Sequence, residues 1–311
     1  MKLNLHRLWV FEQVVECGGF SAAARKLFMS QPAVSQQVRK LEVDLRTTLI
    51  ERSAACLRLT DQGEVLFRYA RQFSVLSREA VVAVESASDA RAGRLTVGGT
   101  TTYGAHLLPP LLAQFAARFP GVVCNLRVGN TAQISSQLAD GEIQLALLPC
   151  DPESAPHLAL EAVLTERLLL VAHPSHPMAD RVMSPSVLEG SQFLFREPGS
   201  ATRRAQEDAL ERWCISPASR SQVWGNEAVK HAVMAGLGVA LLSERSVAGE
   251  LRAGRLALIE PEFPLPAHTV VIASRHRPLR YPAEQAFAEL LRTLADGSPL
   301  PPTCAVADGI P

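Results

Sequence analysis

Ser21–Leu45, SAAARKLFMSQPAVSQQVRKLEVDL, is the stretch on which the reading of this chain turns. It reads as two short helices joined by a tight turn. Val34, Val38, Leu41 and Leu45 recur at i, i+4, i+7 and i+11, the spacing of one apolar helix face. The opposite face carries Gln31, Pro32, Ser35, Gln36 and Arg39. Such side chains hydrogen-bond base edges, glutamine with adenine, arginine with guanine and serine with either. Ser21 and Lys40 complete the DNA-binding candidates on this pair. Ser30 can cap the second helix, and Pro32 fits a first turn where no backbone donor is needed. Ala22, Ala23 and Ala24 are small enough to let two helices cross closely. The spacing predicts a helix-turn-helix whose second helix enters the major groove. It also fits an ordinary αα-hairpin in a helical core, so the flanking sequence has to decide.

Upstream, residues 3–17 read as a helix with Leu5, Leu8, Phe11 and Val15 as its core stripe, ended by Gly18-Gly19. Phe20 leads into Ser21, which reads as the N-cap of the next helix. Downstream, LIERSAACLRLT (49–60) reads as two short strands around a loop, with Arg52 and Arg58 as cationic contacts. A three-helix unit followed by a β-ribbon is a winged helix-turn-helix, whose wing tip lies on a phosphate backbone or in the minor groove. From Asp61 to about Arg91 a long helix is expected. Leu66, Tyr69, Phe73, Leu76, Ala80, Ala83 and Ala87 follow one another at alternating steps of 3 and 4, a heptad seam. A second copy of the chain is the economical cover for that seam, and two reading heads match a palindromic site. A long helix packed on its own domain is the alternative.

From Ala92-Gly93 the texture changes. LTVGGT (95–100), VVCNLRVG (122–129) and IQLALLP (143–149) alternate with helical stretches near 103–118 and 131–140, a βαβαβ pattern. A second unit follows, with strands ERLLLVA (166–172), FLFRE (193–197), SQVWG (221–225) and VALLS (239–243), and helices near 202–213 and 227–236. LALIE (256–260), HTVVIAS (268–274) and a helix near 282–295 close it. The expected fold is α/β and multi-domain: a winged helix-turn-helix over 1–60, a linker or dimerisation helix over 61–91, and a two-lobed effector domain over 92–296. Lobe 1 takes about 92–163 and 267–296, lobe 2 about 164–266. The Pro- and Gly-rich 297–311 reads as a disordered tail.

Composition narrows the function. A chain of 311 residues exceeds one typical domain, and 47% apolar content supports filled cores. No apolar run approaches a membrane span, and no signal pattern opens the chain, so a cytoplasmic protein is expected. The six cysteines lie at least 26 positions apart, which excludes a CxxC pair or zinc signature and makes buried or incidental thiols the expectation. Net charge is zero, but residues 1–92 carry 13 Lys/Arg against 10 Asp/Glu, a net +3 balanced by −3 in the remainder. No GxSxG, HExxH, P-loop or GxGxxG follows the strands, so no enzyme is expected. A solute-binding protein would not need the N-terminal reading head.

GGFSAAARKLFMSQPAVSQQVRKLEVDL, with LTDQG downstream, closely resembles the LysR-type transcriptional regulators. The order of helix-turn-helix, wing, linker helix and two α/β lobes fits that family over all but the tail. The resemblance implies a dimer or dimer of dimers on promoter DNA of dyad symmetry, with RNA polymerase as a further partner. It also implies a C-terminal domain like periplasmic solute-binding folds, holding a small effector. GTTTYGAHLLP, REPGSATR and GNEAVKHAVMAGLGVALLS look most like regulators of carbon fixation and sulfur assimilation. Two departures stand out. The family usually has Gly where Arg46 stands and Phe where Ile50 stands. Its wing tip is usually basic, whereas here it is Ser53-Ala54-Ala55-Cys56. Arg52 and Arg58 then carry the wing contact alone, and the recognition helix carries more of the specificity.

For the effector, Thr100, Thr101 and Thr102 follow a strand and open a helix, as do Ser200, Thr202 and Arg203 after Pro198-Gly199. Helix N-termini offer free N–H groups and partial positive charge. If both loops face one cleft, as in the family, they form an anion site of hydroxyls and one guanidinium. Asn130, Thr131 and Asn226 sit at further strand ends and can join it. The expected ligand is sulfate, sulfite, a phosphorylated sugar or a carboxylate, with no cofactor and no metal. Plain helix capping is the alternative role for the threonines. His106 and His268 have no partner at metal-ligand spacing and read as structural or incidental. Cys214 stands alone in the second lobe, without a resolving partner. Effector binding is expected to act by shifting the population of lobe placements, and through them DNA bending.

Overall fold

A computed structural model describes residues 3–51, 57–88, 93–150, 155, 158–275, 279 and 281–295. Arg52, the wing tip 53–56, the end of the expected linker helix at 89–91 and the tail 297–311 lie outside the described residues. The chain divides into two compact units, Met1–Val82 and Ala83–Pro311.

In the first unit, helix α1 (Leu5–Glu16) is capped by the Asn4 side chain, which accepts from the Arg7 N–H at 3.1 Å. Its buried face keeps Leu8 and Phe11 of the expected stripe and adds Val10 and Val14, because α1 packs on two helices at once. Leu5 is exposed and Val15 half-buried. Helix α2 (Phe20–Lys26) starts one residue before Ser21, which lies exposed in its first turn, and Gly19 takes the cap position without a side-chain bond. Ala23 and Ala24 are buried where α2 meets α1 and α3 (Gln31–Leu45). Ser30 caps α3, accepting from the Ala33 N–H at 3.3 Å, with Pro32 in the first turn. Arg46 ends α3 in the left-handed region, φ 53°.

Strands β1 (Ile50–Glu51) and β2 (Arg58–Leu59) pair antiparallel as the stem of the wing. The LTDQG string then has a physical reading. The Thr60 hydroxyl donates to the Thr48 carbonyl at 2.7 Å and accepts from the Gly63 N–H at 3.0 Å. A Cβ on Gly63 would lie 2.1 Å from the Leu49 carbonyl oxygen, so only glycine fits. Helix α4 (Asp61–Ser88) turns Ala70 inward and packs Leu66 and Phe67 on the helix-turn-helix core. Ser74 Oγ donates to the Glu12 carboxylate. Val65, Tyr69, Phe73 and Leu76 remain 42–57% exposed along the rest of the helix.

The second unit opens with β3 (Gly93–Thr100), α5 (Thr101–His106), α6 (Leu108–Arg118), β4 (Val122–Gly129), α7 (Thr131–Ala139) and β5 (Leu145–Pro149). The helix expected over 103–118 is two helices. Pro109 and Pro110 have no N–H to continue a helix and so sit in the first turn of a new one. There follow β6 (Ala159–Ala172), β7 (Arg181–Met183), β8 (Gln192–Phe195), α8 (Ala201–Arg212) and β9 (Ser219–Gln222). Last come α9 (Asn226–Met234), β10 (Ala240–Ser243), α10 (Glu244–Arg252), β11 (Ala257–Pro261), β12 (Ala267–Ser274) and α11 (Pro282–Arg292).

Strand β6 runs seven residues further upstream than the sequence pattern marks, and that extension organises the unit. Ala159–Arg167 pair antiparallel with β12, while Leu168–Val171 pair with β10 and Val171–Ala172 with β11. One strand therefore belongs to two sheets, with the changeover between Arg167 and Leu168. On one side, β3 lies parallel to β4 and β5, and β12 closes onto β5. Leu95, Val97, Leu108, Phe115, Phe287 and Leu291 fill one face of that sheet, and Ile134, Leu138 and Ile143 the other. Each such side chain contributes about 1.5–3 kcal/mol by leaving water. On the other side, Leu168, Leu170, Phe193, Phe195, Trp213 and Leu241 form a separate core. Two cores joined by crossing strands make two lobes with a cleft between them.

Candidate functional site

The face of α3 away from its buried seam carries Gln31, Pro32, Gln36, Arg39 and Lys40, all exposed, with Ser35 half-buried. Ser21 on α2 and Arg58 on β2 are also exposed, and Arg58 stands opposite Glu51 in the ribbon. The sequence reading missed Phe28, which is 98% exposed in the turn before α3 and has φ 52°. Nothing in periodicity marks an aromatic residue held outward by a left-handed turn.

The cleft between the lobes is lined by Thr100, Thr101, Thr102, Tyr103, Asn130, Thr131, Pro149, Arg196, Ser200, Thr202, Ser243 and His268. Seven of the nine expected effector residues come together there. Thr100 and Ser200 occupy the cap positions of α5 and α8 without using their hydroxyls to cap. Asn130 and Thr131 line the cleft but spend their polar groups holding it closed. Asn130 Oδ1 caps α7 through the Gln133 N–H, and its Nδ2 donates to the Pro198 carbonyl at 3.3 Å. Thr131 Oγ1 accepts from the Ala201 N–H at 3.1 Å, and the Ala132 N–H donates to the Gly199 carbonyl at 3.0 Å. Gly199 has φ 85° and lies against Ala132, which makes glycine the residue for that approach.

Arg203 and Asn226 are not in the lining. The Arg203 guanidinium lies over the Phe195 ring and donates to Glu207, Gln222 and the Arg196 carbonyl, because α8 turns that position outward. The guanidinium of the cleft is Arg196, just past the end of β8 and only 2% exposed. Glu197 holds it with two bonds, Nε to Oε2 at 2.9 Å and Nη2 to Oε1 at 2.8 Å. Nη2 also donates to Thr101 Oγ1 at 3.3 Å, and Nη1 reaches Asn226 Oδ1 at 3.5 Å. Asn226 thus positions the arginine from behind. Of the five guanidinium protons, those bonds leave one on Nη1 for a ligand.

Glu197 sits in the same dry surroundings. Burial opposes its charge, but bonds from Arg196 and the Gly225 N–H outweigh that and pull its carboxyl down to about 2. Burial pushes the Tyr103 hydroxyl well above its ordinary range and the His268 ring below its own. The cleft has a free volume of about 10 Å³, room for one water-sized sphere. A larger crevice of about 500 Å³ lies outside it, over the Glu161–Arg292 ion pair. Among the described residues no group of three or more His, Cys, Asp or Glu is placed to hold a metal. No described helix is long and apolar enough to cross a membrane.

The sequence reading missed Tyr103, Pro149, Arg196 and Ser243, and it took His268, which lines the cleft, as structural or incidental. Arg196 and Ser243 end or follow strands, where open α/β sheets bind ligands, and that rule would have found them. Pro149 ends β5 and carries the same mark, whereas Tyr103 and His268 do not.

Residues 5–64 match the family model described as the bacterial regulatory helix-turn-helix protein, lysR family, and residues 88–296 match the LysR substrate binding domain. A RuBisCO operon transcriptional regulator of Allochromatium vinosum is 34% identical over 94% of this chain and 96% of its own. Full-length CbnR complexed with its target DNA has a TM-score of 0.65 at 24% identity, over 94% of this chain and 100% of that one. The regulatory domain of Synechocystis PCC6803 CcmR in complex with 2-PG has a TM-score of 0.60 at 26% identity, over 66% of this chain and 99% of that one. The chain belongs to the LysR family of bacterial transcriptional regulators, with an N-terminal DNA-binding helix-turn-helix and a C-terminal effector-binding domain.

Proposed function

We propose that this regulator reads promoter DNA through α3 and answers to a small dianionic metabolite in the cleft. Residues 1–60 read the site, 61–91 pair two copies, and 92–296 hold the effector. Gln31, Pro32, Ser35, Gln36 and Arg39 meet base edges, while Ser21, Lys40, Arg52 and Arg58 meet phosphates. The exposed Tyr69, Phe73 and Leu76 stripe supports α4 as the seam of a dimer on a palindromic site. The setting is the cytoplasm, beside RNA polymerase.

In the cleft, Thr100, Thr101, Thr102, Ser200 and Thr202 donate hydroxyls and Arg196 its free proton. Asn130 and Thr131 hold the lobes together, Asn226 steadies Arg196, and Arg203 braces the loop behind it. The observation that carries this reading is Arg196, buried, fixed by Glu197 and facing hydroxyls that cap nothing. The ligand class follows from that donor set: sulfate, sulfite, a phosphorylated sugar or a carboxylate, with phosphorylated acids favoured by the 2-PG held in CcmR. A cleft with room for one water must open to admit any of them. Entry therefore changes the lobe placement, and differential affinity of about 1–3 kcal/mol is enough for regulation.

The test is calorimetry of the full chain with sulfate, phosphate and 2-phosphoglycolate. Arg196→Lys keeps the charge and loses the fork, so binding should fall at least about tenfold. Thr102→Val should weaken it, and Arg203→Ala should leave it within about twofold. Binding of no anion, or binding indifferent to Arg196→Lys and Thr102→Val, contradicts the reading.

A further inference from the structure

His268, on β12, lines the cleft with the threonines and Arg196. Its Nε2 is shut off from solvent and has no hydrogen-bond partner among the described residues. The charged groups of the neighbouring elements are already engaged. Across the strands, His268 pairs in register with Glu166 of β6. Glu166 accepts from Ser243 Oγ of β10 at 2.5 Å, and from the N–H and Nε of Arg245 on α10 at 2.9 and 3.3 Å. Tyr103 of α5 lies in the same wall. Arg196, beyond β8, is tied to Glu197. A species entering the cleft is the candidate partner for Nε2.

We propose that His268 contacts the effector directly and takes up a proton as a doubly charged oxyanion binds, which couples affinity to pH and selects dianions over monoanions. This rests on the anion reading of the cleft. In the empty site burial favours the neutral ring, and Glu166 only partly opposes that. An oxyanion within hydrogen-bond reach favours the charged ring and raises the pKa. Between the lowered value of the empty site and the raised value of the filled one, binding takes up as much as one proton. Affinity then falls with rising pH by as much as about tenfold per unit, and is flat on either side.

Sulfate is the probe, because it stays a dianion across the range from about pH 5.5 to 8.5 where histidines titrate. The full chain is titrated with sulfate by calorimetry at several pH values, each in two buffers of different ionisation heat. The expected result is proton uptake on binding and an affinity that falls as pH rises. His268→Gln, which keeps an amide near the position of Nε2, should bind more weakly with no proton uptake and no pH slope. Sulfate binding by the wild type without proton uptake overturns the inference and leaves the anion reading standing. So does an unchanged pH slope in His268→Gln. Failure of sulfate at every pH, with another anion still bound through Arg196, also overturns it alone. Failure of every anion overturns both.

Discussion

Arg46 is a residue held against its preference. Its left-handed φ of 53° at the end of α3 suits the glycine that the family usually carries there. Arg46→Gly should stabilise the protein by about 0.5–1 kcal/mol in urea unfolding, and a loss of stability would show that the exposed arginine is making a contact of its own. Gly63 is the opposite case, since a Cβ there meets the Leu49 carbonyl, and Gly63→Ala should destabilise. Glu197 sets an acid limit. Its folded pKa of about 2 lies below the ordinary 4.5, so its contribution is whole above about pH 4.5 and is lost as pH falls towards 2. Glu197→Gln should melt lower at neutral pH, because Arg196 is left buried without its counter-charge, and should lose less across that window. Thermal melts from pH 7 downward test this, and a variant with the wild-type slope would refute it. At this scale the sequence was a good guide to which loops form the cleft and a poor one to which guanidinium enters it. Arg196 and Arg203 sit in one quoted string, and the choice between them depends on which way α8 turns.

At the scale of elements, periodicity marked α3 and α4 because each has an apolar face with a burial partner or need of one. It could not separate the two faces of α4. Leu66 belongs to the seam by spacing, yet it packs with Phe67 and Ala70 toward the helix-turn-helix core. Tyr69, Phe73 and Leu76 carry the exposed stripe instead. Phe73→Glu with Leu76→Glu should give a monomer in sedimentation velocity and weaken DNA binding, and an unchanged dimer would place the seam elsewhere. Gln36→Ala or Arg39→Ala should remove selectivity between specific and random DNA. The Ala55→Arg wing variant should tighten binding to both and steepen its salt dependence by about one unit in slope, read by fluorescence anisotropy. Strand β6 was read too short because Ala159–Thr165 alternates weakly, and only its pairing with β12 defines it.

At the scale of the whole molecule, bonds between the lobes close the cleft, and the proposed function requires a ligand to open it. Asn130, Thr131 and Ala132 reach the loop of Pro198, Gly199 and Ala201, and Arg196 reaches Thr101. Strand β6 changes partners between Arg167 and Leu168, where the two lobes join. The two-lobed plan was readable from alternating strands and helices, whereas the closing bonds depend on residues some 70 positions apart and leave no local pattern. The most direct test is fluorescence anisotropy on the DNA upstream of the protein's own gene, with and without saturating 2-phosphoglycolate or sulfate. The anion should change affinity for the wild type and Arg203→Ala, and not for Arg196→Lys. An equal response in Arg196→Lys, or none in the wild type, contradicts the account.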